Sequence, residues 1–191
     1  MTREIIVENT QDLRSAIISA QEGDVIRIKS GEYERININQ KQQISFEAYD
    51  FDAKPHISRI NMYESQQIKL NNLVVGHSIF DIENNVGIGI NISYSSKVQL
   101  SNIEVKNARD AIGIRHGSDI QITNSYLHDI ERDGINMLDI KLIDIHHNTI
   151  TDFHPNYEQY NYDDWYFNLH SAPQNFRSSI FLEARSRHLA T

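Results

Sequence analysis

The sequence predicts an all-β fold, a solenoid of stacked parallel strands behind one short helix, and three observations lead there. First, an eight-residue pattern occurs four times, beginning at Ile68, Val98, Ile120 and Ile143, with spacings of 30, 22 and 23 residues. Each copy carries aliphatics at its first, third and eighth positions and an Asn or His at its fifth, namely Asn72, Asn102, Asn124 and His147. A recurring period of this length marks a repeat architecture, and alternation within each copy has the period of a strand. Second, another alternating segment precedes two of the copies, as Asp110-Ala-Ile-Gly-Ile-Arg115 and, 23 residues later, Asp133-Gly-Ile-Asn-Met-Leu138. Third, helical spacing is confined to the start, where Leu13, Ala16, Ile17 and Ala20 recur as one apolar stripe.

In chain order, residues 3–8 read as a short strand, and Thr10 is the expected N-cap of a helix running to Gln21. Gly23-Asp24 then turns into the alternating strand Val25–Ile28, and Gly31 marks the next turn before Tyr33. An amphipathic helix laid over the first turn would cover strand edges and core that an open solenoid exposes. This opening, together with the four registered copies, resembles the N-terminal cap and turns of right-handed parallel β-helix proteins of the pectate-lyase-like superfamily. That superfamily comprises polysaccharide lyases, glycosidases, alginate epimerases and phage tailspike depolymerases, and the resemblance covers residues 1–155. It implies a right-handed parallel β-helix with a short N-terminal amphipathic capping helix and a polysaccharide partner.

The whole chain reads as one domain, 1–191, with cap and first turn in 1–33 and β-helix turns in 34–155. The long first interval implies a loop insertion around Gly76–Asn85. Val86-Gly-Ile-Gly-Ile-Asn91 reads as the cognate of Asp110–Arg115 one turn earlier. That alignment gives outward columns Val86/Asp110/Asp133, Gly89/Gly113/Asn136 and Asn91/Arg115/Leu138, with Ile88, Ile112 and Ile135 inside. Residues 156–169 form an aromatic and acidic insertion, after which a strand is expected near His170–Gln174. From Phe176 to Thr191 no turn of the repeat is legible, so the C-terminal end is expected to be incomplete, the product of truncation.

Net charge is −8 with no basic run, which argues against duplex nucleic acid and anionic membrane as partners. With no cysteine there is no disulfide or thiolate-metal scaffold. The start lacks a signal-peptide core and no stretch would insert in a membrane, giving a cytoplasmic, released or virion-associated expectation.

The candidate catalytic residues are Asp110, Asp133, His154 and His170. Two carboxylates one turn apart raise each other's pKa and suit acid/base work or a cation, and a His beside them moves protons near neutral pH. Arg115, His116 and Asn136 are expected to bind substrate, Arg115 offering a planar fork to a sugar carboxylate. Tyr157, Tyr160 and Trp165 would pack on sugar rings from the long loop. Asp163-Asp164 suggests Ca²⁺ but falls short of an oxygen cage. The fifth-position Asn column reads as a structural ladder that satisfies polar groups at a bend. The leading functional reading is a polysaccharide-binding or polysaccharide-degrading protein acting by hydrolysis or β-elimination. A non-catalytic adhesive spike, with a homotrimer as its natural form, and an inactive truncated remnant are the alternatives.

Overall fold

Residues 2–77 and 87–152, together with the backbone of 176–179, are described by a computed structural model. They form a parallel β-solenoid of about six turns. Each turn gives one strand to each of three faces, in the order first, second, third. The first face holds β1 (Glu4–Val7), β2 (Val25–Ile28), β5 (Ser45–Ala48), β8 (Lys69–Asn71), β11 (Ser96–Ser101), the end of β12 (Glu104–Thr123), β14 (Ile143–His146) and β16 (Phe176–Ser179). The second holds β3 (Glu32–Tyr33), β6 (His56–Ile57), β9 (Val74–Gly76), the start of β12, the start of β13 (Tyr126–Ile140) and β15 (Thr149–Ile150). The third holds β4 (Ile36–Asn39), β7 (Ile60–Tyr63), β10 (Ile88–Ser93) and the middle stretches of β12 and β13.

Every pairing is parallel and every face stacks like on like. The column Ile26, Phe46, Leu70, Leu100, Ile122, Ile145 points inward from the first face. Tyr33, Ile57, Val75, Val105, Leu127 and Ile150 do so from the second, and Ile36, Ile60, Ile90, Ile112, Ile135 from the third. Helix α1 (Thr10–Ser19) lies over the first turn and buries Leu13, Ala16 and Ile17 in the same core. Its N-cap is Asn9, not Thr10: Asn9 is extended and its Oδ1 accepts from the Asp12 amide at 2.9 Å. The Thr10 hydroxyl instead accepts from the Glu34 amide, tying the helix to the second turn.

The chain turns its corners through residues held in the left-handed region. Gln40, Glu64, Tyr94, His116 and Asp139 form one such column, and Gln43, Gln67, Lys97 and Asp119 a second. The fifth-position residues Asn72, Asn102, Asn124 and His147 form a third, and Asn107, Asp129 and Asp152 a fourth. The fifth-position residues therefore serve backbone geometry first, which Asn tolerates better than most residues. Their side chains do not stack on one another: Asn102 Nδ2 donates to Asn71 Oδ1, and Asn72 Nδ2 to the Phe51 carbonyl. Buried serines make the polar ladder at another corner, with the Ser65 amide donating to Ser95 Oγ and the Lys41 amide to Ser65 Oγ.

Two expectations are corrected. The residue aligned with Asp110 is Ile88, not Val86, so Ile90 stacks on Ile112 and Ile92 on Ile114. A two-residue slip keeps every side chain on its face, so alternation is blind to it. Strand β16 (Phe176–Ser179) pairs on β14 in the stretch from Phe176 where no turn of the repeat was expected, while the strand expected near His170–Gln174 falls outside the described residues. The loop insertion expected around Gly76–Asn85 falls, beyond His77, outside the described residues.

Leu100→Ala, in the middle of the fully buried column, should cost about 2–5 kcal/mol in urea unfolding. Asn102→Val, which puts a β-branched residue in the left-handed region, should cost about 1–2 kcal/mol, while Asn102→Gly should stay near wild type.

Candidate functional site

Asp110 and Asp133 are Cα partners on adjacent turns, as expected, but they do not stand side by side on an open face. The ladder shifts register between Ala108 and Asp110, with one extra residue on the β13 side, and Asp110, on the inward side of β12 with Ile112 and Ile114, is 1 % exposed. Arg132 Nε donates to Asp110 Oδ1 at 2.9 Å and Arg132 Nη2 to Oδ2 at 2.8 Å, a two-pronged pair. The same Nε reaches Asp133 Oδ2 at 3.1 Å, and Asn136 Nδ2 donates to that oxygen at 2.7 Å. Arg132 thus sits between the two carboxylates, and the corner is a closed charge network rather than a pair of facing acids. Arg132 was not among the sequence-predicted residues. Its signal was its position directly before Asp133, matching Arg109 before Asp110.

Arg115 and His116 lie at the opposite edge of the third face. Five residues separate Asp110 from Arg115, roughly 16 Å of strand, so the two groups do not converge on one point. His116 stands on the corner leading to the first face, where its ring stacks on Tyr94 with centroids 4.7 Å apart. Tyr94 meets Tyr63 edge-on at 5.6 Å, and His116 Nδ1 is 3.0 Å from Asp139 Oδ2. Turn-by-turn stacking therefore builds an exposed ridge of rings, Tyr63, Tyr94 and His116, along the solenoid. Beside Arg115 on the third face runs a polar column of Asn37, Asn61, Asn91, Gly113 and Asn136, in which Asn61 Nδ2 donates to Asn37 Oδ1.

Around that corner, the first face carries a groove of about 910 Å³. Its centre is the register column Lys69, Gln99, Gln121, Asp144, and its rim the left-handed column Gln67, Lys97, Asp119. Gln121 Nε2 donates to Asp144 Oδ2 at 3.3 Å, and Leu142 adds an apolar contact surface. Groove and ring ridge are set on one corner, since Tyr94 and Lys97 are three residues apart. Sequence reasoning missed the groove because its residues are the polar, outward positions of the repeat and look like ordinary solvated surface.

A further cluster sits on the second face. His128 Nδ1 is 2.6 Å from Asp129 Oδ2, its Nε2 is 3.4 Å from Glu104 Oε1, and its ring stacks on Tyr126 at 4.2 Å. The hydrogen bond from His128, with help from Lys106, holds the Glu104 carboxyl down from 4.5 to about 2 against the effect of burial. His128 is raised above its usual 6.5, first by Glu104 and then by Asp129, with burial opposing.

His154, His170, Tyr157, Tyr160 and Trp165 lie outside the described residues, as do Asp163 and Asp164. Among the described residues no cluster of His, Asp and Glu is arranged to hold a metal ion, and no helix is long and apolar enough to cross a membrane. No protein-family model matches the chain, and no curated protein matches its sequence. What the structure shows is the architecture, a parallel β-solenoid.

Asp110→Asn should cost about 3 kcal/mol in denaturant unfolding, because it takes from Arg132 and Arg109 the charge they share. The His128 cluster sets a pH window. Glu104 is lowered, so its stabilisation is present above 4.5 and is lost as pH falls toward about 2. His128 is raised, so its stabilisation is complete below 6.5 and fades as pH climbs through the raised value. Melting temperature should peak between pH 4.5 and 6.5, and His128→Ala should flatten the fall on the alkaline side in circular-dichroism melts.

Proposed function

We propose that this solenoid binds a polysaccharide, laid along the axis in the first-face groove and against the Tyr94–His116 ridge. The observation that carries the reading is the groove itself, whose Lys69, Gln99, Gln121 and Asp144 repeat on four successive turns. Turns are about 4.8 Å apart, a spacing comparable with one sugar ring, so a linear glycan would meet a similar set of polar groups at every step. Towards sugar hydroxyls the ammonium donates, the carboxylate accepts and the amides do both. Exposed rings beside them offer faces for the C–H side of a pyranose, an amphipathic use of Tyr familiar at interfaces. Arg115 and Asn136 extend the polar surface onto the third face and are assigned to substrate contact in this reading.

Binding, rather than cleavage, is the activity proposed. Asp110 is buried and both its oxygens are taken by Arg132, which leaves it poorly placed to exchange a proton with a substrate. Asp133 is one-third exposed and is the acid through which any bond cleavage at this corner would run.

Calorimetry and affinity electrophoresis against a panel of neutral and acidic polysaccharides test this. Tyr94→Ala and Gln99→Ala should each weaken the strongest binder about tenfold, about 1.4 kcal/mol, with the circular-dichroism spectrum unchanged. No binding across the panel, or affinity indifferent to both substitutions, would sink the proposal. Release of reducing ends or new ultraviolet absorbance that is lost in Asp133→Ala would show that cleavage is present as well.

A further inference from the structure

A second group of side chains, at the corner between the second and third faces, has no role in the groove. Arg35 and Arg59 directly precede Ile36 and Ile60, which are Cα partners, so the two arginines occupy the same position on adjacent turns. Gly87 lies between Arg59 and Arg109. The Arg59 guanidinium rests against its α-carbon, where an added Cβ would come within 2.5 Å of Nη2. From the other side, the Arg109 amide donates to the Gly87 carbonyl at 2.9 Å. Gly87 also has a positive φ of 32°, so both its backbone and its missing side chain make this approach possible.

The group is cationic in a chain of net charge −8. The charges acting on Arg59 are those of Arg35 and Arg109, after burial, and all three effects disfavour its protonated form. Among the described residues Arg109 has one long contact, 3.4 Å to Asp110 Oδ2, an oxygen that Arg132 already holds at 2.8 Å. Arg109 Nε is buried without an acceptor, and so is Nε2 of the neighbouring His77. Placing like charges together with buried, unused donors is costly. Guanidinium forks, on the other hand, match the oxygens of sulfate, phosphate and carboxylate.

We propose that this corner is an oxyanion-binding site, with Arg59 and Arg109 as its principal donors and Arg35 and His77 beside them. A bound oxyanion would take the Arg109 Nε–H, give His77 Nε2–H an acceptor, and offset the repulsion among the three arginines. The oxyanion is either a free inorganic ion or a sulfate, phosphate or carboxylate group carried on a sugar. The site is on a different corner from the groove, so it stands or falls independently of the glycan-binding reading.

Thermal shift and calorimetry on the full chain test this, with sodium sulfate and sodium phosphate set against sodium chloride at equal ionic strength. Sulfate or phosphate should raise the melting temperature where chloride does not, with one ion bound per chain, and Arg59→Gln and Arg109→Gln should each weaken binding at least tenfold. Glucose 6-sulfate and glucuronate, with glucose as control, separate the sources. Tighter binding of the sugar anions than of sulfate assigns the site to a glycan substituent, and the reverse assigns it to a free ion. Should either variant fail to fold, arginine Nε–Hε nuclear magnetic resonance of the wild type decides: the Arg109 signal, assigned through Arg109→Lys, should move on sulfate addition and stay still with chloride. Equal responses to sulfate and chloride, or wild-type sulfate affinity in folded Arg59→Gln and Arg109→Gln, would overturn the proposal.

Discussion

Everything in this molecule follows from one requirement, that the backbone amides and carbonyls of each turn find partners on the turns above and below. A parallel stack satisfies this only while successive turns stay in register. The inward columns hold that register: Leu100 must lie over Leu70 and under Ile122, and Ile112 over Ile90 and under Ile135. Extra length is therefore confined to corners. The interval of 30 residues between the first two copies is absorbed between β9 and β10, and the strands on either side pair as if nothing intervened. Corners also have to reverse the chain within a few residues. Four columns of left-handed residues do this without glycine, using mostly Asn, Asp, Gln and His, with Glu64, Tyr94 and Lys97.

Register turns single residues into surfaces. A lone exposed Tyr is ordinary, but Tyr63, Tyr94 and His116 on successive turns become a continuous ridge of rings. The same stacking brings like charges together, as with Arg35, Arg59 and Arg109, and the structure answers in two ways. At Asp110 and Asp133 it interposes Arg132, so that charges alternate. Around Gly87 the arginines meet only Asp110 among the described carboxylates, 3.4 Å from Arg109 and already held by Arg132, which is why that corner stands out electrostatically. The His128 cluster belongs to the first kind, an imidazole held between Glu104 and Asp129.

Legibility in the sequence differed by kind of information. Strands, helix and most facings were readable, because burial imposes a period of two on strands and 3.6 on a helix. The pairing of Asp110 with Asp133 was readable too, since both open the same motif 23 residues apart. Beyond that the pattern loses its grip. The slip from Val86 to Ile88 left no trace in alternation, and the strand at Phe176–Ser179 lies in no legible copy of the repeat.

For the candidate sites, the sequence alone determined that Asp110 and Asp133 share a column, because they open the same motif one repeat apart, but it set Val86 where Ile88 belongs. Only the tertiary structure decided what those columns do. Asp110 opens the same motif as Asp133, yet it is buried on the inward side of its strand with Arg132 closed over it, while Asp133 stays one-third exposed. Gln99 and Lys69 look like solvated surface until four turns align them in a groove, and Arg59 meets Arg109 only across Gly87. The physical reason is the same in each case. Periodicity records which side of the strand a residue faces, whereas a site depends on contacts across corners and between turns, where alternation carries no information.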